Sequence, residues 1–321
     1  MGHAVWQSIA RALVIGLVAV ASVSCAGTDE TAVPTDDEAT TAYSDGLEME
    51  QEMQWEAAVD AFTRAIDLGL DDLDTLAAVH VHRSIVLVQL RRMEESLADA
   101  TAAIDLEPDN IDTLSDAYAR RSEALFFFGQ WEEAVADATA AIDLEPDNID
   151  TLSDAYARRS NALLVLGRLD AALADATAAI NLEPRNPSLL ADAHMTRVEV
   201  LVGLGRLEEA LVDATTAIDL EPGAASNVNN VALAYVHRAI VFNEMRRVED
   251  AIADVSTAID LAPTDIETLA MSIFLRAAIL LDVGAIEEAA VDLQTLVEIL
   301  PETHDLSRTA AGMLADLGSS G

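Results

Sequence analysis

The sequence lacks lysine altogether and contains a single cysteine, Cys25, among its 321 residues. One cysteine excludes an intramolecular disulfide bond, so the fold cannot depend on one. Aromatic residues make up only 4% of the chain, whereas 51% of its residues are hydrophobic and alanine dominates that group. Because alanine has the highest helix propensity and lets helices approach closely, this composition favours packed helices over stacked sheets.

Basic residues are scarce as well. Eighteen arginines face 57 acidic residues, which gives a formal net charge of −39. This charge repels nucleic acid phosphates and anionic membrane surfaces, so we expect neither as a partner. It would attract basic segments of another protein. A generally acidic, highly soluble surface explains the same charge without a specific partner, and the sequence leaves both interpretations open.

Residues 1–24 are predicted to be a signal peptide. A short segment with one arginine and no acid precedes an apolar run, residues 12–23, that is too short to span a bilayer as a helix. Residues 21–25 (Ala-Ser-Val-Ser-Cys) resemble the lipobox of bacterial lipoproteins, although Ser22 stands where that motif prefers leucine. The resemblance implies lipidation of Cys25. Cleavage after residues 19–21 (Ala-Val-Ala) would instead release a soluble secreted form.

The segment from Cys25 to residue 40 is polar, acidic and aperiodic, so we predict a flexible tether there. A lipidated Cys25 would make the chain an exported protein with a lipid anchor in the cell membrane or the outer membrane, facing the periplasm or the exterior. Several acyl chains on one residue anchor stably, because each buried methylene contributes roughly 0.8 kcal/mol.

A repeat of 38 residues governs the rest of the chain. The string Asp-Ala-Thr-Ala-Ala-Ile-Asp-Leu-Glu-Pro begins at Asp99 and again at Asp137, and residues 98–122 are identical to residues 136–160. One residue of this string recurs at intervals of 38, with a single interval of 41, at Ile66, Ile104, Ile142, Ile180, Ile218, Ile259 and Val297. The sequence therefore predicts about seven copies of one structural unit.

Each repeat is predicted to form two amphipathic helices, A and B. In the third repeat we expect helix A over residues 112–128, ended by Gly129 in a left-handed conformation. Helix B is expected over residues 131–144, because Pro146 prevents its continuation.

In the third repeat, large, small and turn-forming residues stand in a characteristic order: Tyr118, Ser122, Leu125, Gly129, Trp131, Ala134, Ala138, Ala141 and Pro146. In these residues and their spacing the repeat resembles the tetratricopeptide repeat family. The resemblance implies an all-α fold, a right-handed α-solenoid of antiparallel helix pairs over residues 41–301. A C-terminal capping helix is expected within residues 302–321.

The repeats depart from that family in two respects. They are about four residues longer than the family's usual 34 or so, which we interpret as one added turn on helix A. The glycine between the helices is replaced by Met53, Arg91 and Arg246 in three repeats, where we expect different turns.

An arginine of helix A and an aspartate of helix B recur with the repeat, and we call them the Arg–Asp ladder. Its members are Arg83, Arg121, Arg159, Arg197, Arg238 and Arg276, with Asp99, Asp137, Asp175, Asp213, Asp254 and Asp292. A half-buried arginine needs a carboxylate, so we favour structural pairing over a row of guanidinium groups that binds an acidic partner. The sequence does not decide between pairing within a repeat (Arg121 with Asp137) and pairing between repeats (Asp99 with Arg121).

The family binds peptides or proteins in a concave groove formed by its A helices. The positions that the resemblance assigns to this groove are Val81, Ile85, Val88, Glu123, Phe126, Asn161, Leu164, Met195, Glu199, Val202, Val236, Ile240 and Phe274. Mixed apolar and acidic residues suit a basic or amphipathic partner. Alternatively, neighbouring A helices bury most of these side chains and leave no groove at these positions.

No motif for chemistry is found. His80 and His82 lie two residues apart, so on a helix they point in different directions and do not make a metal pair. A nucleophile–base pair, a glycine-rich phosphate loop and a metal cluster are all missing from the sequence, so we expect no enzyme and no cofactor. The favoured hypothesis is a protein-binding scaffold of the cell envelope. A self-associating structural spacer and a secreted soluble adaptor are the alternatives.

Overall fold

The computed structural model describes residues 36–220, 228–261 and 263–319. The predicted signal peptide, Cys25 and the tether as far as residue 35 lie outside these ranges. Among the described residues, no helix has the length and apolarity needed to cross a bilayer. The same ranges contain fifteen α-helices and no strand: α1 (Asp36–Gln51), α2 (Trp55–Leu68), α3 (Leu73–Gln89), α4 (Met93–Asp105), α5 (Ile111–Phe127), α6 (Trp131–Asp143), α7 (Ile149–Val165), α8 (Leu169–Asn181), α9 (Pro187–Gly203), α10 (Leu207–Leu220), α11 (Val228–Glu244), α12 (Val248–Asp260), α13 (Ile266–Asp282), α14 (Ile286–Ile299) and α15 (Asp305–Ser319).

The helices form seven hairpins followed by α15, which packs on α14. Odd-numbered helices α1 to α13 are the A helices, and the even-numbered helices are their B partners. The chain divides into two compact units, which we call the first unit (residues 36–182, four hairpins) and the second unit (residues 183–319, three hairpins and α15). Within each unit a B helix packs on the A helix that follows it, and successive A helices contact each other. The predicted all-α repeat fold is confirmed.

Helix α1 begins at Asp36, so residues 36–40, which we assigned to the tether, are helical. Two physical causes favour the earlier start. Carboxylates such as those of Asp37 and Glu38 are favourable near a helix N-terminus, where the backbone dipole is positive. In addition, Ala39 and Ala42 are buried in the core that α1 shares with α2 and α3.

The two helices of a hairpin cross at small residues. In the third repeat the hydroxyl of Ser122 donates to the carbonyl of Ala134 at 2.8 Å, across the crossing. In the first repeat Gly46 takes the place of that serine, and a Cβ added there would lie 2.4 Å from the ring of Phe62. Small side chains therefore allow the backbones of the two helices to approach closely at the crossing.

The turn between the helices has the same conformation in every hairpin whose turn is described, with or without glycine. Gly129 has φ 74°, and Met53, Arg91 and Arg246 have φ between 58° and 59°. The amide of Arg91 donates to the carbonyl of Val88, and the next amide donates to the carbonyl of Leu87. These two bonds form a Schellman motif, which satisfies the last carbonyls of helix α3 and holds the left-handed residue in place. Our expectation that these three turns differ is therefore wrong.

In the third repeat the helix bounds agree with the predicted ones to within about a residue. Each A helix from α3 onward has 17 residues, whereas the B helices have 13 or 14. Asn110 caps helix α5 by accepting a hydrogen bond from the amide of Thr113 at 3.1 Å. A side-chain cap at this position fixes where the long helix starts.

Candidate functional site

Each ladder arginine is paired with the ladder aspartate of its own hairpin. In the third repeat, Arg121 Nε donates to Asp137 Oδ2 at 2.6 Å, and Nη2 donates to Oδ1 at 2.9 Å. The same pair of bonds, between residues sixteen apart, joins Arg83 to Asp99, Arg159 to Asp175, Arg197 to Asp213, Arg238 to Asp254 and Arg276 to Asp292. Of the two arrangements left open by the sequence, the structure has the pairing within one repeat.

The ladder pairs lie inside the hairpins and present little charge to a ligand. The arginine side chains are only 20% to 26% exposed, and all six aspartates are buried. The hydrogen bond to Asp137 raises the pKa of Arg121 and outweighs burial, which would lower it. Since Nε and Nη2 are engaged by an aspartate, the ladder holds helix A to helix B and is not a row of free guanidinium groups.

Two ladder aspartates also contact a histidine. His80 Nδ1 lies 2.8 Å from Asp99 Oδ1, and His194 Nδ1 lies 2.9 Å from Asp213 Oδ1. Burial alone would raise the pKa of Asp99, but the hydrogen bonds from Arg83 and His80 outweigh it and lower that pKa. The position of these histidines, three residues before the ladder arginine, is taken by a tyrosine in three other repeats, where the guanidinium lies over the ring of Tyr118, Tyr156 or Tyr235 at 5.3 to 5.5 Å.

In three repeats the ladder arginine reaches the preceding hairpin as well. Arg83 Nη1 donates to the hydroxyl of Thr63 in helix α2 at 2.9 Å. The equivalent bonds are Arg159 to Thr139 at 3.3 Å and Arg276 to Ser256 at 3.2 Å. These arginines therefore join the B helix of their own repeat to that of the repeat before.

The predicted groove positions are neither freely exposed nor uniformly buried. Val81, Met195, Val236 and Phe274 are buried in contacts with neighbouring helices. The other nine are half-buried: Ile85, Val88, Glu123, Phe126, Asn161, Leu164, Glu199, Val202 and Ile240. Neighbouring A helices thus cover part of this face and leave a mixed surface of apolar and polar side chains.

An ion network that the sequence analysis missed joins helices α5 and α7 on the A-helix side of the first unit. Glu123 accepts hydrogen bonds from Arg120 at 2.8 Å and from Arg158 at 2.6 Å. Asp154 contacts Arg120 and accepts from Arg158 Nε at 3.1 Å. We call these four residues the A-helix network. The sequence does contain a signal for this network. An additional arginine, Arg120 or Arg158, directly precedes the ladder arginine in these two repeats.

Burial and charge shift the pKa values in the A-helix network. Burial raises the pKa of Glu123, but the charges of Arg158 and Arg120 outweigh it and lower that pKa. Beside the network, burial raises the pKa of Asp116 more than Arg120 lowers it. Arg120 Nε is buried and has no hydrogen-bond partner among the described residues. The network therefore places a concentrated, incompletely satisfied set of charges one helical turn before Phe126 in helix α5.

Other A helices are joined by histidine–carboxylate pairs. His237 Nε2 lies 2.9 Å from Glu199 Oε1, and its Nδ1 lies 2.8 Å from the carbonyl of Leu233. Because both ring nitrogens face acceptors, only the imidazolium form satisfies both. Burial lowers the pKa of His237, but the hydrogen bond and charge of Glu199 outweigh it, so the pKa is raised.

The two histidines considered for a metal point to different helices. His80 contacts Asp99 in helix α4, whereas His82 Nδ1 lies 2.9 Å from Glu50 in helix α1. Within the described part of the chain, no group of three or more histidine, cysteine or acidic residues is arranged to hold a metal ion.

No family model matches the sequence, and no curated protein does either. Solved structures do resemble it. A tetratricopeptide repeat protein from Parabacteroides merdae ATCC 43184 has a TM-score of 0.59 and 15% identity, over 87% of this chain and 98% of its own. The apo form of RapI has a TM-score of 0.58 and 12% identity, over 84% and 78%. Cut9, in the APC/C hetero-tetramer Cut9–Hcn1, has a TM-score of 0.58 and 14% identity, over 85% and 54%. At these identities the likeness concerns the fold, and the chain has the fold of tetratricopeptide repeat proteins.

Proposed function

We propose that this chain is a non-enzymatic scaffold that binds a peptide or protein partner along the groove positions of its A helices. The observation that carries the proposal is the half-burial of nine groove positions, which present apolar and polar side chains together. A surface with apolar anchors and a few fixed polar groups suits an extended or helical segment of another protein. Cut9 was solved in a hetero-tetramer with Hcn1, so a chain of similar fold holds another protein.

The strongest candidate for the centre of this surface is in the third and fourth repeats. Phe126 and Leu164 occupy the same position in consecutive A helices, α5 and α7, and both are half-buried. The A-helix network joins the same two helices through ion pairs. Aromatic residues and arginine are enriched at the centres of protein interfaces. The overall charge of −39 favours a partner that is basic or amphipathic.

The place of action that we propose is the cell envelope, with the chain exported and held by lipid on Cys25. The support is the apolar run that ends in a resemblance to a lipobox at the only cysteine of the chain. A tether between this anchor and the first helix would let the groove reach partners away from the membrane.

The groove is tested by capturing partners from the native envelope with the wild-type chain and with a Phe126→Ala/Leu164→Ala variant. Val212→Ala is the matched control, because Val212 is 65% exposed on the B helix α10. We expect the double variant to lose a partner that the control retains, with an unchanged oligomeric state. Retention of every captured partner would contradict the proposed groove. A change in self-association alone would instead support the structural spacer.

The anchor is tested separately by Cys25→Ser and membrane fractionation. We expect the variant to move from the membrane fraction to the soluble fraction. Retention of the Cys25→Ser variant in the membrane fraction would contradict the lipoprotein proposal. Release of the wild-type chain into the medium would favour the secreted form.

A further inference from the structure

A row of exposed apolar side chains follows the beginnings of the A helices in the first unit. Leu73, Ile111 and Ile149 are the first residues of α3, α5 and α7. They are 52%, 51% and 37% exposed. The repeat thus presents a large aliphatic residue to solvent at the same place three times in succession. We call these three residues the edge stripe.

The members of the edge stripe are held in fixed positions, because hydrogen bonds join the beginnings of successive A helices. The amide of Asn110 donates to Asp74 Oδ1 at 3.1 Å, and the amide of Asn148 donates to Asp112 Oδ1 at 3.0 Å. Asp74 directly follows Leu73, and Asn110 directly precedes Ile111. Neighbouring members of the stripe are therefore held side by side across each joint between repeats.

Helix capping does not explain the edge stripe. Asp72, Asn110 and Asn148 already cap these three helices by accepting hydrogen bonds from backbone amides. A polar residue would serve as well as an aliphatic one at a first helical position that is half exposed. Repeated exposure of apolar surface in one line is typical of an interaction site.

The surroundings of the edge stripe are acidic. Residues 69–76, 107–114 and 145–152, which contain its three members, each include three acidic residues and no basic residue. In each segment the residue two positions before the stripe member is an exposed aspartate: Asp71, Asp109 and Asp147. A helix with one apolar face and basic residues on either side of it would complement this row of aliphatic side chains and the carboxylates that border it.

Charge also disfavours two other occupants. A second copy of this chain would bring the same carboxylates against each other with no basic residue between them. The segment 26–40 of this chain is acidic and carries no basic residue either, so it would be repelled in the same way. Like charges that meet in an interface cost several kcal/mol.

We propose that the edge stripe is a docking surface for a basic amphipathic segment of another protein. Its apolar residues would cover Leu73, Ile111 and Ile149, and its arginines or lysines would face the bordering carboxylates. Three neighbouring helices spaced about 10 Å apart span roughly 20 Å, which a helix of about 14 residues matches. This surface lies at the beginnings of the A helices, apart from the groove positions, so it can be occupied whether or not the groove is.

The probe for the test is a fluorescein-labelled helical peptide of leucine and lysine with one apolar face, titrated with the purified full chain and followed by anisotropy. We expect Leu73→Gln/Ile111→Gln/Ile149→Gln to weaken binding at least about tenfold, because three apolar contacts are lost. Val212→Gln/Val291→Gln is the matched control, since both valines are 65% exposed near acids on B helices. We expect this control to bind as the wild type does.

Equal binding by the triple variant and the wild type would overturn the proposal, since the peptide would then only be responding to the general negative charge. Far-UV circular dichroism checks that the triple variant folds. If the triple variant does not fold, binding is measured with Ile111→Gln alone. We expect this variant to bind the peptide several-fold more weakly, and unchanged binding would contradict the proposal. Sedimentation of the wild type and the triple variant tests the other occupant. A wild-type dimer that the triple variant abolishes would assign the stripe to a second copy instead.

Discussion

Asp137 of helix α6 holds Arg121 of helix α5 through two hydrogen bonds, of 2.6 Å and 2.9 Å, and the same fork recurs in every hairpin from the second to the seventh. The carboxylate is buried, so the arginine satisfies a group that would otherwise have lost its water. Each such pair fixes helix A against helix B at one point along their length.

Removal of both partners should therefore cost less than the two single removals added together. We expect Asp137→Ala to destabilise the chain by about 2 kcal/mol, because Arg121 is left half-buried without its carboxylate. We expect Arg121→Met/Asp137→Ala to be less destabilised than the sum of the two single variants. Urea denaturation followed by circular dichroism measures all three. Additive effects would show that the two residues do not act as a pair.

The sequence was sufficient to predict the hairpin repeat, the helix bounds of the third repeat to within about a residue and the composition of the ladder. It could not decide which aspartate each arginine meets, because Asp99 and Asp137 both lie one helix away from Arg121 in the chain. It also failed at the turns, where Arg91 and Arg246 adopt the backbone of the glycine they replace. The A-helix network was missed because contacts such as Arg120 to Asp154 depend on how two repeats stack, which one repeat's pattern does not contain.

The crossing of the first hairpin should not tolerate a side chain larger than glycine. A Cβ at Gly46 would lie 2.4 Å from the ring of Phe62, which is itself completely buried. We expect Gly46→Ala to destabilise the chain by about 1 to 3 kcal/mol, because the ring or the backbone must move. Gly312→Ala is the matched control, since that glycine is also helical and nothing lies within 4 Å of its Cβ site. There we expect a gain of about 0.5 to 1 kcal/mol in stability, and equal effects at both sites would contradict the crossing.

The turn residues with positive φ allow the energetic cost of the backbone conformation to be measured separately from side-chain contacts. No atom lies within 4 Å of the Cβ site of Gly167, whose φ is 72°. We expect Gly167→Ala to cost about 1 kcal/mol through conformational strain alone. Conversely, we expect Arg246→Gly to stabilise its turn by several tenths of a kcal/mol or more, because a pair as exposed as Arg246 and Asp282 contributes little. Thermal melts compare the two, and a loss of stability in Arg246→Gly would show that its side chain matters more than its φ.

The pair of His237 and Glu199 should make stability depend on pH. The pKa of His237 is raised by folding, since Glu199 and the carbonyl of Leu233 both accept from its ring and together outweigh the opposing effect of burial. A raised pKa in the folded state means that the imidazolium stabilises the fold fully below its ordinary pKa of about 6.5. That contribution is lost as the pH rises through the higher value of the folded state.

We therefore expect the difference in unfolding free energy between the wild type and His237→Gln to be largest near pH 6 and to shrink as the pH is raised above 6.5. Taking the difference between the two proteins removes the titration of all other groups from the comparison. Glu199→Gln is the matched control, and it should remove most of the same pH dependence because it removes the main acceptor. Urea denaturation at several pH values measures each difference. A difference that stays constant with pH would show that folding does not raise the pKa of His237.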